Sequence, residues 1–274
     1  MHTPPFSEAK VAFVVLAWNS ERYIAKCIES VLSLCCKRLE LWVVDNGSTD
    51  KTPDILAGIE KSDSRLRIIS EARNLGTTVS RNKALKCIST DIDYICILDS
   101  DTLVNQEAFE RMGRVLAGDQ SIGVIGPSMM NSSGELQLSG RSLPTLGIKA
   151  GKACPFARIS QWAHEAEQPQ ALIEGGLQDV GYLLSACWLM PQSAIQKVGM
   201  FDEKIFYAPE DVDWCLRCHK LGLRVVRCYN AVILHEYQRL SHKRFFSKIN
   251  VEHIKGLAYY FKKHHYLIKA PSID

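Results

Sequence analysis

The chain of 274 residues lacks a secretory signal and any long apolar run. Its first ten residues are mostly polar and include two prolines, where a signal peptide would have a basic start followed by an apolar stretch. No apolar run approaches the roughly 18 residues of a membrane-spanning helix. We therefore expect a cytoplasmic protein without a membrane span.

The chain also has little net charge, +3 at neutral pH. Residues 242–274 hold seven Lys or Arg against two acids, a charge of +5, so the first 241 residues carry −2. A nucleic-acid-binding body needs a basic surface, which this composition does not supply. We therefore expect no nucleic-acid partner.

Ten cysteines are scattered through the chain, mostly in apolar segments such as Ile95-Cys96-Ile97. This pattern indicates buried thiols in a reducing compartment. Cys215-x-x-Cys218-His219 has a zinc-like spacing, but it lies in one predicted helix and has no partner pair, which disfavours zinc.

Apolar, β-branched runs alternate with helical patterns in the first half of the chain. Strands are predicted at residues 11–18, 39–44 and 66–70, and a fourth strand ends at Asp99. This alternation predicts βαβ units, an α/β fold with a mainly parallel sheet. Residues 127–176 are rich in Gly, Ser and Pro, so we expect loops and short hairpins there, segments that often determine specificity.

The fourth predicted strand ends in Asp99-Ser100-Asp101, two carboxylates one residue apart. Ligands of open α/β sheets bind beyond the carboxyl ends of the strands. Oxygen ligands in such a place suit Mg²⁺ or Mn²⁺ that also holds phosphate oxygens. A polar strand-to-loop exit is the alternative that these three residues alone leave open.

Several motifs follow one another in an order that resembles family 2 glycosyltransferases of the GT-A fold, and most closely their rhamnosyltransferase-like branch. In this sequence they read VVLAWNSERY, VVDNGSTD, NLG with RN, LDSD, GMFDEKIFYAPEDVDWCLR and LH. The resemblance covers about residues 10–241 and implies a Rossmann-like, mainly parallel sheet flanked by helices. It further implies a nucleotide-sugar-binding half at about 10–126, an acceptor-binding half at about 127–241, and a separate tail at 242–274.

The resemblance implies roles for four residues at the donor end. Trp18 is expected to face the nucleobase, with a core tryptophan as the alternative. Asp45 and Asn46 occupy the positions that recognise base and ribose, although their sequence also suits a simple turn. Arg81 is expected to contact the nucleotide, with a surface salt bridge as the alternative.

The same resemblance implies a metal and diphosphate site. Asp101 is the expected direct ligand of Mn²⁺ or Mg²⁺, and Asp99, with neighbouring Ser100, is expected at the ribose or a metal-bound water. His235 is implied as a third metal or diphosphate ligand. Two further residues that could hold phosphate oxygens are Arg239 and Ser241.

Glu210-Asp211 supplies the implied catalytic pair at a predicted helix start. In the resembling family this pair faces the acceptor, Asp211 as general base and Glu210 in support. Acids also complement a helix dipole, which is the ordinary alternative. Because a helix N-terminus favours a carboxylate, we expect Asp211 to stay ionised at neutral pH.

Together these features imply an inverting glycosyltransferase, using a UDP- or dTDP-linked sugar and a glycan or lipid-linked saccharide acceptor, in cell-surface polysaccharide synthesis. A nucleotidyltransferase is one alternative, but it usually has a Gly-rich loop after the first strand, and residues 17–21 contain no glycine. A non-catalytic sugar-nucleotide or glycan-binding module is the other.

The tail reads as a basic amphipathic helix. Its apolar residues recur at near-helical intervals: Phe245, Ile249, Ile254, Leu257, Tyr260 and Phe261. Such a helix either lies on an anionic membrane or packs on the catalytic domain. Because many proteins of the resembling family act on lipid-linked glycans, we expect peripheral association with the cytoplasmic membrane face.

Overall fold

A computed structural model describes residues 3–169, 171, 173–236 and 248–272. The strands are β1 Lys10–Ala17, β2 Arg38–Asp45, β3 Leu66–Ser70, β4 Tyr94–Asp99, β5 Thr102–Leu103, β6 Ile122–Met130, β7 Leu136–Gln137, β8 Gly140–Arg141, β9 Leu177–Asp179, β10 Tyr182–Leu183, β11 Cys187–Pro191 and β12 Arg224–His235. The helices are α1 Ile24–Leu32, α2 Thr52–Glu60, α3 Thr77–Leu85, α4 Gln106–Gly118, α5 Leu146–Ala153, α6 Ala157–Ala166, α7 Gln192–Val198, α8 Glu210–Lys220 and α9 Lys248–His264.

A large mixed sheet organises the molecule. Strands β3, β2, β1 and β4 lie side by side in that order and run parallel. Beyond them β11 is antiparallel to both β4 and β6, whereas β12 runs parallel to β6. The predicted α/β fold with helices around the sheet is confirmed, with antiparallel β11 added in its middle.

The register of the parallel strands brings the predicted site residues to one edge. Leu16 of β1 lies beside Asp99 of β4, and Ala17 lies beside Asp45 of β2. Parallel strands that end in register place the loops after them next to one another. The loops after β1, β2 and β4 therefore share one edge of the sheet.

Both faces of the sheet are buried under helices. On β1, Phe13 faces the layer that contains Phe109 of α4, with ring centroids 5.4 Å apart. Its neighbour Val14 faces the opposite layer, which contains the buried Trp188 and Trp214. Two buried faces explain why the first strand reads as a continuous apolar run instead of an alternating one.

The two predicted halves share this sheet. Strand β6 crosses the boundary expected near residue 126, and β11 from the second half pairs with β4 from the first. The roles assigned to the halves stay predictions.

Residues 127–176 contain helices, so the prediction of loops and hairpins alone was wrong. Helix α5 holds two glycines, and Ala163 is the one residue of α6 that is fully buried. Such composition and exposure leave little helical periodicity to read. A Cβ on Gly151 would lie 2.8 Å from the Cβ of Ala163, so this glycine permits the close contact of α5 with α6.

Helix α9 of the tail packs on the catalytic domain with its second half. Tyr260 and Phe261 are buried, and Lys263 pairs with Asp213 of α8 at 2.6 Å. Earlier in the helix Ile254 is 68% exposed. The packing alternative therefore holds for residues around 260, while the predicted contribution of Phe245 and of the Ile249 side chain lies outside the description. No helix in the described part of the chain is long and apolar enough to cross a membrane.

Candidate active site

The cluster of Asp99, Asp101 and His235 forms where β4 ends. Strand β5 turns back and pairs with β12, which places Thr102 beside His235 and so brings the imidazole over the Asp-Ser-Asp turn. His235 Nε2 lies 3.5 Å from Asp101 Oδ1. One ligand atom from each of the three residues falls within 4.8 Å of the others.

This donor set fits a small divalent cation. Two carboxylates and one imidazole offer the oxygen and nitrogen ligands that suit Mg²⁺ and, with the imidazole, Mn²⁺. His235 Nδ1 lies 2.8 Å from the Oε1 of Gln137, which fixes the ring so that Nε2 faces the carboxylates. Gln137 lies in a two-residue strand that carried no readable pattern in the sequence.

Burial and ion pairing have opposite effects on the pKa values of His235 and Asp99. Burial lowers the pKa of His235, but Asp101 and then Asp99 outweigh it, so the pKa of this imidazole is raised. Burial also raises the pKa of Asp99, Arg81 lowers it and Asp101 raises it, with a raised pKa as the result. A cation between these groups would relieve the repulsion between the two carboxylates.

Arg81 links this cluster to the second acidic centre. Its side chain is 1% exposed; Nη2 donates to Asp99 Oδ1 at 2.7 Å and Nη1 to Glu210 Oε1 at 3.1 Å. The hydroxyl of Ser185 contacts both partners, at 2.9 Å from Arg81 Nη1 and 3.1 Å from Glu210 Oε1. The surface salt bridge considered for Arg81 is therefore wrong, because its guanidinium and its partner Glu210 are buried. Its direct contact with a nucleotide stays a prediction.

Glu210 and Asp211 open α8, as the sequence predicted. Burial, followed by the charge of Asp211, raises the pKa of Glu210 against the influence of Arg81. Burial likewise raises the pKa of Asp211, although the Val212 N–H, which donates to its Oδ1 at 2.8 Å, lowers it. The sequence predicted that the helix N-terminus would favour the ionised form of Asp211. This prediction was wrong in direction, because burial outweighs the helix and raises the pKa.

A raised pKa suits a carboxylate that takes a proton. General bases are most effective when their pKa lies close to the working pH, provided that they remain unprotonated there. Lys149, Arg141 and Arg81, in that order, offset part of the burial effect on the pKa of Asp211. The arrangement makes Asp211 a stronger base than a solvent-exposed aspartate.

Trp18 and Asp45 lie at the shared edge beside this cluster. Trp18 is partly exposed and belongs to neither apolar core, in contrast to the fully buried Trp188 and Trp214, so the core alternative finds no support. Asp45 Oδ1 accepts the N–H of Ser48 at 3.1 Å, and its other oxygen has no hydrogen-bond partner within the described residues.

Asn46 has a different environment from the one the sequence suggested. Its amide oxygen accepts the N–H of Leu75 at 2.8 Å and the hydroxyl of Ser80 at 2.9 Å. Its amide nitrogen donates to Asn74 and Gly76. All four hydrogen-bonding positions of the amide are thus engaged. Asn46 therefore holds the loop before α3 by hydrogen bonds. Its contact with a sugar donor stays a prediction.

Ser100 lies between the two metal-site acids and is buried. Its hydroxyl is 2.7 Å from that of Ser20, whose N–H donates to Thr52 at the start of α2. This contact ties the loop after β1 to the turn after β4. The predicted diphosphate contacts of Arg239 and Ser241 lie outside the described residues.

The family model for glycosyl transferase family 2 matches residues 12–198. The chain belongs to glycosyltransferase family 2. This result confirms the resemblance drawn from the motifs, and the chain is a glycosyltransferase.

Two relatives from this family illustrate the range of similarity. The chain is 29% identical over 228 residues to N-acetylglucosaminyl-diphospho-decaprenol L-rhamnosyltransferase of Mycobacterium tuberculosis, covering 78% of this chain and 71% of the relative. It is 31% identical over 133 residues to the putative glycosyltransferase EpsH of Bacillus subtilis, covering 48% of this chain and 36% of the relative.

The similarity of this chain to solved structures shows its fold. Mannosyltransferase PcManGT from Pyrobaculum calidifontis, in complex with GDP-Man and Mn²⁺, superposes with a TM-score of 0.62 at 17% identity, over 98% of this chain and 68% of the other. S. aureus TarS 1-349 with UDP-GlcNAc gives a TM-score of 0.57 at 20% identity, over 86% of this chain and 61% of the other. The glycosyltransferase has the GT-A fold.

Proposed function

We propose that this glycosyltransferase moves a sugar, with inversion at the anomeric carbon, from a UDP- or dTDP-linked donor to a hydroxyl of a glycan or lipid-linked saccharide. The observation that carries the proposal is the buried guanidinium of Arg81, bonded to Asp99 at 2.7 Å and to Glu210 at 3.1 Å. This one buried side chain thereby links Asp99 of the candidate metal site to Glu210, the neighbour of the proposed base Asp211. Positioning of this kind accounts for much of enzymatic rate acceleration.

The donor end is formed by the edge residues. The indole of Trp18 offers a stacking surface for a nucleobase, and the open oxygen of Asp45 can accept the imide N–H of uracil or thymine. A divalent cation, Mn²⁺ or Mg²⁺, held by Asp99, Asp101 and His235 would offset the charge that develops on the leaving diphosphate. In this proposal Asp99 and Ser100 contact the ribose.

At the acceptor end, Asp211 removes the proton from the attacking hydroxyl. The proton moves to the free Asp211 oxygen, because Oδ1 already accepts the Val212 N–H. Glu210, held by Arg81 and Ser185, keeps the first turn of α8 in place and does not itself need to titrate. Attack from the face opposite the diphosphate gives the inverted product.

The acceptor class is drawn from the relative in Mycobacterium tuberculosis, whose name states a diphospho-decaprenol-linked sugar. We infer a lipid-linked saccharide acceptor here too, and hence action at the cytoplasmic membrane face during cell-surface polysaccharide synthesis. The exposed Val251 and Lys255 in the first half of α9 support contact with an anionic membrane surface.

A donor screen tests the proposal. UDP- and dTDP-sugars are offered with Mn²⁺ and a mixture of lipid-linked acceptors, and both nucleoside diphosphate release and product formation are followed. The proposal predicts release that requires Mn²⁺ or Mg²⁺ and a product of inverted configuration by NMR. A retained configuration, or donor binding without any transfer across the screen, would contradict it.

A further inference from the structure

We propose that a groove between α5, α9 and the segment after α9 binds the apolar chain of a phosphate-bearing lipid acceptor, with Lys149 at the phosphate end. The inference rests on the proposed function, since it assigns a place for the acceptor of that reaction. It goes further because it gives this chain a lipid-binding subsite with named residues.

The groove is large and apolar. Its volume is about 910 Å³, within the range of sites for small molecules. Ile254 and Ile268 lie on it with 68% and 88% of their surface exposed. The N–H of Leu146 donates to the carbonyl of Leu267 at 2.8 Å, which joins α5 to the C-terminal segment across the groove. Exposed aliphatic side chains around a preformed concave site favour an elongated hydrocarbon ligand.

The rim of the groove is basic. Lys149, Lys262, Lys269 and His265 line it, and no acid is among the described residues that do. A lipid with a phosphate head group would place its hydrocarbon chain on the apolar lining and its phosphate beside these cations. An uncharged hydrocarbon would make no contact that requires the cations. Charge complementarity therefore favours an anionic amphiphile.

Lys149 connects the groove to the catalytic acids. With Arg141 and Lys152 it surrounds the buried carboxylate of Glu167, three cations against one acid. This cluster therefore has more positive than negative charge, and Lys149 is the member that lines the groove. Lys149 and Arg141 also act on Asp211, whose pKa they lower against the effect of burial.

Helix α9 itself lies against the loop that leads into α8. A Cβ on Gly256 would lie 2.1 Å from the carbonyl oxygen of Ala208, two residues before Glu210. Only glycine permits this approach without displacing backbone. A lipid chain on α9 with its phosphate at Lys149 would therefore present its sugar toward Asp211.

Calorimetry on the full-length protein tests the subsite, with farnesyl diphosphate as an amphiphilic probe and inorganic pyrophosphate as its head alone. We expect farnesyl diphosphate to bind at least tenfold more tightly than pyrophosphate. Ile254→Asp should remove at least tenfold of that affinity, because it places a carboxylate in the groove. Val251→Asp is the matched control: Val251 is 45% exposed on the same helix but does not line the groove, and the change should leave affinity within threefold.

The phosphate end is tested by a second pair of variants. Lys149→Gln should weaken both probes at least fivefold, whereas Lys152→Gln, which also loses a contact to Glu167 but does not line the groove, should weaken them less than threefold. Equal binding of farnesyl diphosphate by Ile254→Asp and Val251→Asp would overturn the proposal. The proposal would also be overturned if Ile254→Asp lost binding to phosphatidylglycerol vesicles, measured without farnesyl diphosphate, as strongly as it lost binding to farnesyl diphosphate. The groove would then be a contact with the bilayer.

The same variants separate this inference from the proposed function. Mn²⁺-dependent UDP binding should be unchanged in Ile254→Asp and Lys149→Gln, since neither residue lies at the metal cluster. If the wild-type protein showed no Mn²⁺-dependent UDP binding, that result would contradict the proposed function and not the groove.

Discussion

Replacing Asp213 with Asn should weaken the attachment of α9 to the catalytic domain. The Asp213 side chain is 1% exposed and accepts from Arg217 Nε at 2.9 Å, Lys263 Nζ at 2.6 Å and His264 Nε2 at 2.8 Å. Two of these three donors belong to α9. The carboxylate is therefore the polar anchor between α8 and the tail helix.

The pKa of Asp213 sets the size of the effect. Burial raises this pKa, but His264, Arg217 and Lys263 outweigh it and hold it at about 2, against 3.8 for an ordinary aspartate. At 1.36 kcal/mol per unit, the shift corresponds to about 2 kcal/mol of stability for the ionised form. Because the folded pKa is depressed, this contribution is complete above pH 3.8 and is lost as pH falls toward 2.

Urea unfolding at pH 7 and at pH 5 measures this contribution. Asp213→Asn should lower the free energy of unfolding by about 2 kcal/mol at both values, equivalent to about 5 °C in Tm for a chain of this size. Asp211→Asn, two residues away, is the control and should not destabilise, since burial raises the pKa of that carboxyl and disfavours its charge. If Asp213→Asn unfolds within 0.5 kcal/mol of wild type, the anchor assigned here does not hold α9.

Four further predictions concern the candidate active site. Asp211→Asn should keep donor binding and lower transfer by a factor on the order of 10² or more, measured as kcat with saturating donor; near wild-type turnover would assign the base elsewhere. Because the pKa of Asp211 is raised, the acid limb of the kcat/KM profile should lie above that of an ordinary aspartate, and activity should fall as pH drops through it. Arg81→Met removes the cation that Asp99 and Glu210 share and should cost about 3 kcal/mol of stability in urea unfolding, whereas an unchanged midpoint would show that the bridge is dispensable. Trp18→Ala should weaken nucleoside diphosphate binding by about 1–2 kcal/mol in calorimetry, and unchanged affinity would remove Trp18 from the donor site.

The sequence was informative where residue type and strand register together determine the outcome. Asp99 and Asp45 end buried parallel strands, so their meeting at one edge follows from the apolar runs before them. The pairing of His235 with Asp101 was accessible through the family resemblance alone, since the antiparallel return of β5 onto β12 is set by long-range contacts.

Other parts of the site depend on contacts that no local pattern encodes. Arg81 is separated from Glu210 by 129 positions, and its dual ion pair could not be distinguished from a surface salt bridge in sequence. Ser185 lies between two short strands and Gln137 in a two-residue strand, segments too short to show a periodicity in the sequence. The direction of the pKa shift at Asp211 was missed because burial, which sequence does not give, exceeds the effect of the helix start.

Metal-dependent binding of a nucleoside diphosphate, compared in wild type and Asp101→Ala, tests the central claim most directly. Calorimetric titrations with UDP and with dTDP, each with and without Mn²⁺, require neither the donor sugar nor the acceptor to be known. The account predicts that Mn²⁺ strengthens binding of at least one nucleotide to wild type, and that Asp101→Ala abolishes this gain while its melting temperature remains near that of wild type. Equal Mn²⁺ dependence in both proteins, or none in wild type, would contradict the assignment of Asp99, Asp101 and His235 as the metal site.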